Sequence, residues 1–229
     1  MNKKLVVLTG AGISAESGLK TFRDGDGLWE NHRVEDVATP EAFAKNPKLV
    51  LEFYNARRES AADAVPNLAH KTLAKLEAHF EVTVITQNVD DLHERGGSSN
   101  VLHLHGKLNQ VRSILNPNKV FDIGNKAICL GDRAEDGGQL RPHIVWFGEE
   151  VPMIEKASKV CEEADIFVII GTSLQVYPAS GLIHYVPQSA KKYLIDRHLP
   201  QITDIEDNMI FLEGLATEMV PLLMKKLTG

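Results

Sequence analysis

The sequence predicts an α/β fold, in which a parallel sheet carries helices on both faces and a smaller lobe is inserted. Short apolar runs rich in valine and isoleucine alternate with stretches of helical periodicity, as in chains that build parallel sheets. The runs lack the polar–apolar alternation of half-exposed strands, which indicates burial on both faces. A length of 229 residues suits one large domain that carries a smaller lobe.

The apolar runs and the periodic stretches place the individual elements. The predicted strands are 4–9, 82–86, 101–104, 166–170, 192–195 and 209–212. The predicted helices are 47–64, 69–79, 152–163 and 215–227. In the first of these helices, Leu49, Phe53 and Ala56 recur at the spacing of one helical face.

Two segments do not follow this alternation. Residues 18–46 are predicted to be loop with short helical pieces, and residues 107–142 contain repeated glycine and proline with little periodicity. An irregular segment of that length inside a compact domain indicates a lobe or a functional insertion. We therefore expect a single domain over 1–229, with a large core of about 1–30, 80–106 and 143–229, and a small lobe of about 31–79 and 107–142.

Composition excludes several function classes. The chain has 25 basic and 31 acidic side chains, and its net charge of −6 argues against a nucleic acid partner. The longest apolar run, 166–170, is far shorter than the roughly 20 residues of a membrane span, and no stretch resembles a secretory signal. We expect a cytoplasmic protein without a membrane partner. The two cysteines, Cys129 and Cys161, form neither a disulfide framework nor a four-cysteine zinc site.

A glycine-rich turn follows the first predicted strand, where Gly10, Ala11 and Gly12 precede Ile13 and Ser14. Such glycines let the chain turn sharply and let a pyrophosphate approach the backbone at a helix N-terminus. Ala15 stands where the dinucleotide fingerprint allows Gly or Ala. The acidic residue that dehydrogenases carry about 20 positions later is replaced by loop sequence. The motif favours a Rossmann-like dinucleotide-binding core but disfavours standard hydride transfer.

Polar residues follow the next two predicted strands. Gln87, Asn88 and Asp90 come after the second strand, at the edge where open α/β sheets bind ligands. Capping of the following helix by Asn88 or Asp90 is the alternative interpretation. His103 and His105 lie on one face of the third strand, and His105 at its end suits a general base. A two-histidine metal site and a purely structural histidine remain alternatives.

Five segments together carry a family resemblance: GAGISAESGLKTFRDGDGLW at 10–29, TQNVD at 86–90, LHG at 104–106, RPHIVWFGE at 141–149 and GTS at 171–173. In this order and spacing they resemble the sirtuins, the NAD-dependent protein-lysine deacylases, and they span almost the whole chain. The resemblance implies NAD as co-substrate and acyl-lysine proteins or peptides as partners. The products would be nicotinamide, free lysine and O-acyl-ADP-ribose. We expect a monomer.

The resemblance also implies residue roles. His105 would be the catalytic base, with Asn88 and Asp90 holding a ribose and a water. The implied cofactor contacts are Gly10, Ala11, Gly12, Ala15, Phe22, Arg23, Trp29, Gln87, Asn88, Val89, Asp90, His105, Gly171, Thr172, Ser173, Asp196 and Ala216. The implied peptide-binding residues, which would pair with an extended substrate by strand addition, are Val145, Trp146, Phe147 and Gly148.

Acyl specificity is predicted from the helix at 47–64. Tyr54 and Arg57 are three residues apart and face the same way, so a phenol and a guanidinium can clasp a carboxylate together. A solvated helix face is the alternative. The segment 38–58 resembles sirtuins that remove succinyl, malonyl and glutaryl groups, in which the matching Tyr and Arg bind the acyl carboxylate. The small Ala38 would widen the pocket, and acetyl groups would also be accepted.

The sequence departs from the family pattern at two places. Only Cys129 stands where the family carries two Cys-x-x-Cys pairs, so no zinc and no other metal is expected. The lobe would instead be held by apolar packing of Val111, Ile114, Leu115, Val120, Phe121, Ile123, Ile128 and Leu130. Asp196 replaces a common Asn and can accept from both ribose hydroxyls, which favours NAD over NADP. ADP-ribosyl transfer, NAD hydrolysis and a catalytically idle NAD-sensing module are the competing functions.

Overall fold

The computed structural model describes residues 2–20, 28–198 and 209–229. The strands within these ranges are β1 (Lys4–Thr9), β2 (Leu28–Trp29), β3 (His32–Arg33), β4 (Glu81–Thr86), β5 (Val101–His103), β6 (Gly106–Ser113), β7 (Val120–Asp122), β8 (Leu140–Ile144), β9 (Ile166–Ile170), β10 (Lys191–Asp196) and β11 (Met209–Glu213). The α-helices are α1 (Ala11–Ala15), α2 (Val34–Val37), α3 (Pro40–Lys45), α4 (Pro47–Asp63), α5 (Leu68–Leu76), α6 (Leu92–Arg95), α7 (Ile154–Glu162) and α8 (Ala216–Thr228), and a 3₁₀ helix covers Ala179–Tyr185.

Six parallel strands form the large sheet in the order β11-β10-β9-β1-β4-β5. Numbered along the chain from one to six, they read 3-2-1-4-5-6 from the β5 edge, which is the doubly wound Rossmann order. The predicted fold class is therefore confirmed, and each of the six predicted strands is present. The order reverses between β1 and β9, so a crevice opens at the carboxyl ends of these two strands.

Burial on both faces explains why these strands read as continuous apolar runs. In β1, Leu5 and Val7 pack with α5 and α8 on one face, whereas Val6 and Leu8 pack with α7 and the 3₁₀ helix on the other. All four side chains are at most 2% exposed. The central strand therefore stabilises both helical layers.

Local signals set where the predicted helices begin. Pro47 starts α4, and the Asn46 side chain accepts the N–H of Leu49 at 3.2 Å, a polar N-cap. Asn67 caps α5 in the same way, through the N–H of Ala69 at 3.0 Å. Helix α5 packs against α8 on the large sheet, although the predicted small-lobe boundary at residue 79 would place it in the lobe.

The small lobe contains a three-stranded antiparallel sheet in the order β7-β6-β8. The expectation of an irregular 107–142 segment was therefore wrong for these strands. A register shift between Gly106 and Val111 explains the error, because it breaks the period of two that identifies a strand. The buried positions of β6 are Leu108, Val111 and Ser113, which are not evenly spaced.

The expected apolar packing holds only part of the lobe. Val111 and Ile128 are buried, and Phe121 and Ile123 pack against them. The remaining apolar side chains of the expected set are 37–66% exposed, and they are Ile114, Leu115, Val120 and Leu130. The lobe tip is held instead by polar contacts, since Ser113 Oγ donates to Asp136 Oδ1 at 2.8 Å and the Gly138 N–H donates to the same oxygen at 2.9 Å.

Across the described ranges, no helix combines the length and the apolar character that crossing a membrane requires.

Candidate active site

A cleft with a cavity volume of about 480 Å³ opens at the crevice where the strand order reverses. Its walls come from the loop after β1, the polar segment after β4, helix α4, the loop after β8 and the loop after β9. This volume lies within the range of small-molecule and cofactor sites. Ligand binding is therefore expected where the Rossmann order predicts it.

Close backbone contact between Gly12 and Gly171 forms the floor of the cleft. The Gly12 N–H donates to the Gly171 carbonyl at 2.8 Å, and a Cβ on Gly12 would lie 2.6 Å from Gly171 Cα. Gly171 has a φ of +62°, which favours glycine. Side chains at either position would push the ends of β1 and β9 apart, so the glycine pattern is required for packing as well as for ligand approach.

A buried hydrogen-bond network joins Asn88, Ser14 and Asp90. The Asn88 amide Nδ2 donates to Ser14 Oγ at 3.0 Å and to the Gly10 carbonyl at 3.1 Å. Ser14 Oγ donates to Asp90 Oδ2 at 3.2 Å. Burial raises the pKa of Asp90, and its hydrogen bonds from Leu92 and Ser14 oppose that rise. The network fixes both predicted side chains in the cleft wall.

The helix-capping alternative applies to Asp90 only in part. Its Oδ1 accepts the N–H of Leu92 at 3.1 Å, at the start of α6, while Oδ2 remains on Ser14. Ser14 was not predicted as a site residue, because its two partners are more than 70 positions away in the sequence. The position of Ser14 directly after a glycine turn is the local sequence signal that could have identified it, and the structure shows that its side chain is buried.

His105 has a defined tautomer. Its Nδ1 lies 3.0 Å from the Gln87 carbonyl, which can only accept, so Nδ1 carries the proton and Nε2 keeps a free lone pair. Burial lowers the pKa of His105, and the hydrogen bond to Gln87 opposes this shift. Gly106 follows with a φ of +81°, and a Cβ there would lie 1.9 Å from the His143 carbonyl. His105 therefore has the geometry of a general base at neutral pH.

His103 faces a different set of partners. Its Nδ1 lies 3.0 Å from the Asn88 carbonyl, and its Nε2 lies 2.9 Å from Glu94 Oε1. Both partners are hydrogen-bond acceptors, so both ring nitrogens of His103 already face a partner within the protein. Burial would raise the pKa of Glu94, but the His103 and Lys107 hydrogen bonds lower it to about 2. Within the described ranges, no group of three or more His, Cys, Asp or Glu side chains could hold a metal ion.

The other end of the cleft contains Tyr54 and Arg57. The Arg57 Cζ lies 4.0 Å from the centroid of the Trp29 ring, and its Nε is buried without a hydrogen-bond partner. Arg57 makes no hydrogen bond or ion pair with any other described residue. Burial lowers the pKa of Arg57 and raises the pKa of Tyr54 above its usual range, so the phenol stays protonated. Ala38 lies in the same wall.

The loop after β8 is already hydrogen-bonded within the protein. The Val145 N–H donates to the His105 carbonyl at 2.9 Å, and the Phe147 N–H donates to the Ala38 carbonyl at 3.0 Å. The Trp146 N–H donates to Glu149 Oε2 at 2.8 Å. A peptide strand added to 145–148 stays a prediction, and it would have to use other main-chain groups of this segment.

Sequence reasoning missed several residues that shape this wall. Arg141 Nη1 lies 2.7 Å from Glu149 Oε1, and the Arg141 guanidinium stacks 3.3 Å from the Trp146 ring centroid. Val176, Tyr177 and Pro178 also line the cleft, after the 171–173 motif. An exposed aromatic–proline pair directly after a ligand-binding strand end was the available signal.

The predicted contacts divide into three groups. Those that line the cleft are Gly10, Ala11, Gly12, Trp29, Ala38, Tyr54, Arg57, Gln87, Asn88, Val89, Asp90, His105, Val145, Trp146, Phe147, Gly148, Gly171, Thr172 and Ser173. Ala15, Asp196 and Ala216 do not line it, and Asp196 Oδ1 accepts the His198 N–H at 3.2 Å at the end of β10. Phe22 and Arg23 lie outside the described residues.

The chain is similar to known proteins in both sequence and fold. The Sir2 family model matches residues 10–178. A Bacteroides thetaiotaomicron protein named NAD-dependent protein deacylase is 59% identical over 199 residues, which are 85% of this chain and 85% of that protein. The solved structure of a Sir2 homologue–NAD complex is 42% identical, with a TM-score of 0.87, over 98% of this chain and 89% of its own. The structure of a Sir2–p53 peptide–NAD⁺ complex is 28% identical, with a TM-score of 0.79, over 98% and 93%. The chain belongs to the Sir2 family.

Proposed function

We propose that this chain is an NAD-dependent protein deacylase that prefers lysine acyl groups ending in a carboxylate, such as succinyl or malonyl, and also accepts acetyl. The deacylase activity is supported by the family membership and by a relative of that name at 59% identity. The acidic preference is carried by one observation: the Arg57 guanidinium lies in the cleft wall and makes no hydrogen bond or ion pair with the residues that the structure describes.

The residues present fit NAD. The crevice lies at the switch point of a Rossmann sheet. Its floor consists of glycines at which any side chain would clash with backbone, and Ser14 orders its polar wall through hydrogen bonds. When bound, NAD supplies a ribose carbon that the departing nicotinamide leaves electron-poor. The Gly10–Gly12 turn would hold the pyrophosphate, and Asn88 and Asp90 would orient the ribose and a water.

The proton chemistry is assigned to His105. Its Nδ1–H is held by Gln87, so Nε2 is free to accept a proton from a ribose hydroxyl. Burial lowers its pKa and keeps the ring neutral near pH 7, which is the form a base requires. His103 is unsuited to the same task because both of its ring nitrogens already have hydrogen-bond partners within the protein.

The clasp for the acyl carboxylate follows from charge and shape. A desolvated cation that no described residue pairs with is unfavourable, and an incoming carboxylate would satisfy it with two parallel N–H donors. The protonated Tyr54 hydroxyl would add a neutral donor. Stacking on Trp29 holds the guanidinium plane, so little side-chain entropy is lost on binding. An acetyl group gains none of these interactions.

The test is nicotinamide release from NAD with matched succinyl-lysine and acetyl-lysine peptides. Arg57→Met keeps an unbranched apolar stem but removes the guanidinium and its charge. We expect kcat/KM for the succinyl peptide to fall roughly 10- to 150-fold, which corresponds to a loss of about 1.5–3 kcal/mol of transition-state stabilisation. Activity on the acetyl peptide should be kept or raised. Arg33→Met is the matched control, since that arginine is 70% exposed. Equal losses on both peptides would refute the clasp, and labelled protein in place of O-acyl-ADP-ribose would indicate ADP-ribosyl transfer.

A further inference from the structure

A tight hairpin brings an unexpected acidic residue to the cleft. Strands β2 and β3 pair antiparallel, with Leu28 opposite Arg33 and Trp29 opposite His32. The two residues between them, Glu30 and Asn31, both adopt left-handed backbone, with φ of 49° and 65°. Gly, Asn and Asp are the usual residues of such a turn, because a larger side chain is disfavoured at positive φ. Asn31 fits this rule and Glu30 does not.

The strained position faces the cleft and is not simply a surface turn. Glu30 and Lys20 both line the cavity, and Lys20 Nζ lies 3.2 Å from Glu30 Oε2. The neighbouring Trp29 provides the ring on which Arg57 stacks at 4.0 Å. The Glu30 side chain is 31% exposed, so it is partly shielded from water. Non-glycine residues held at disfavoured φ are concentrated at functional sites.

We propose that Glu30 is a specificity-determining residue of the acyl pocket. Its carboxylate repels the carboxylate of an acidic acyl group, and the Lys20 ammonium weakens that repulsion. The proposal rests on the proposed acidic-acyl preference. The charges of the pocket wall then divide into one attracting group, Arg57, one repelling group, Glu30, and one screening group, Lys20. This arrangement lets the enzyme keep activity on neutral acyl groups while Arg57 recognises acidic ones.

The opposite charges of Glu30 and Lys20 predict opposite effects on the preference between succinyl and acetyl groups. The negative charge of Glu30 acts on the acyl carboxylate and on Arg57 together, and burial of the Arg57 guanidinium makes that field stronger than in water. Removing Glu30 should favour succinyl over acetyl, whereas removing Lys20 should favour acetyl over succinyl. A purely structural turn residue would change both substrates alike.

The experiment measures the ratio of kcat/KM for succinyl-lysine and acetyl-lysine peptides with NAD. Glu30→Gln, which keeps the shape and the strained backbone, should raise the ratio about two- to fivefold, and Lys20→Met should lower it by a similar factor. The double variant should return near the wild-type ratio. Both shifts should shrink as salt is raised toward 1 M, because screening acts on exposed charges.

A further variant separates strain from charge. Glu30→Asn removes the charge and installs a residue suited to the turn, so it should raise the ratio as Glu30→Gln does and also raise Tm. An unchanged ratio in both Glu30 variants, while Arg57→Met still selectively loses the succinyl peptide, overturns the role of Glu30 alone. If Arg57→Met instead affects both peptides equally, the acidic-acyl preference itself fails.

Discussion

The polar side chains at the two ends of the cleft differ in whether they already have hydrogen-bond partners within the protein. At the end formed by Ser14, Asn88 and Asp90, the side chains are already hydrogen-bonded to one another, with distances of 3.0 and 3.2 Å. At the end formed by Tyr54 and Arg57, the Arg57 Nε is buried and no described residue accepts a hydrogen bond from it. On the proposed function, the first end is preorganised for NAD, whereas the second would be completed by the acyl carboxylate.

This difference has a physical meaning for specificity. A satisfied network resists rearrangement, because breaking it leaves several buried groups unpaired. A buried unpaired cation lowers the stability of the free protein and regains that energy only when an anion binds. NAD recognition should therefore tolerate few substitutions, while acyl recognition should be easy to alter by changing charge.

Among changes at the end of the cleft proposed to bind NAD, loss of His105, the proposed base, should have the largest effect on activity. We expect His105→Ala to reduce deacylation about 10²- to 10⁴-fold, since Nε2 is the proposed proton acceptor and the Nδ1 hydrogen bond to Gln87 leaves it free. NAD affinity, measured by calorimetry, should change little. His184→Ala, at an exposed histidine of the 3₁₀ helix, serves as control. Near-wild-type turnover in His105→Ala would remove His105 from the mechanism.

The hydrogen-bond network provides the next test. Ser14→Ala should leave Asn88 Nδ2 with one fewer acceptor and Asp90 Oδ2 without its donor. We expect a loss of about 1–3 kcal/mol in kcat/KM for NAD, roughly 5- to 150-fold. A double variant with Asn88→Ala should lose less than the sum of the two single changes. Strict additivity would show that the three residues do not act as one unit.

The pH profile tests the state of the base. Burial lowers the pKa of His105 below its ordinary value of 6.5, and the neutral ring is the form that the proposed base requires. With an acetyl peptide, kcat/KM should therefore be half-maximal at a pH below 6.5. It should then fall about tenfold per pH unit below the apparent pKa. An acid limb centred above pH 6.5 would contradict the buried, neutral histidine.

A third polar network lies away from the cleft, at the tip of the small lobe. Its loss should have the smallest effect of these changes. Ser113→Ala removes the 2.8 Å hydrogen bond to Asp136 at the lobe tip. We expect about 1 kcal/mol less stability toward urea, with kcat/KM unchanged on either peptide. Ser158→Ala on α7 is the matched control. Loss of activity without loss of stability would mean that the tip contributes to the site.

Long buried strands were the part of this molecule that could be predicted best. Runs such as Ile166–Ile170 are apolar because both faces are covered, and no exposed position interrupts them. The strand β6 was missed because a register shift breaks its periodicity. Ser14 and Glu149 were missed because their roles depend on partners that only the fold brings together. That Arg57 lines the cleft and pairs with no described residue is likewise a property of the fold that the sequence does not show.

The position of His105 between two sheets has a mechanical consequence. Strand β5 of the large sheet ends at His103 and strand β6 of the small sheet begins at Gly106, so only Leu104 and His105 join them. The His105 carbonyl also accepts the N–H of Val145, directly after β8. A tilt of the small sheet against the large one would therefore turn the main chain at His105. The orientation of the small lobe and the direction of the proposed proton acceptor are coupled through these two residues.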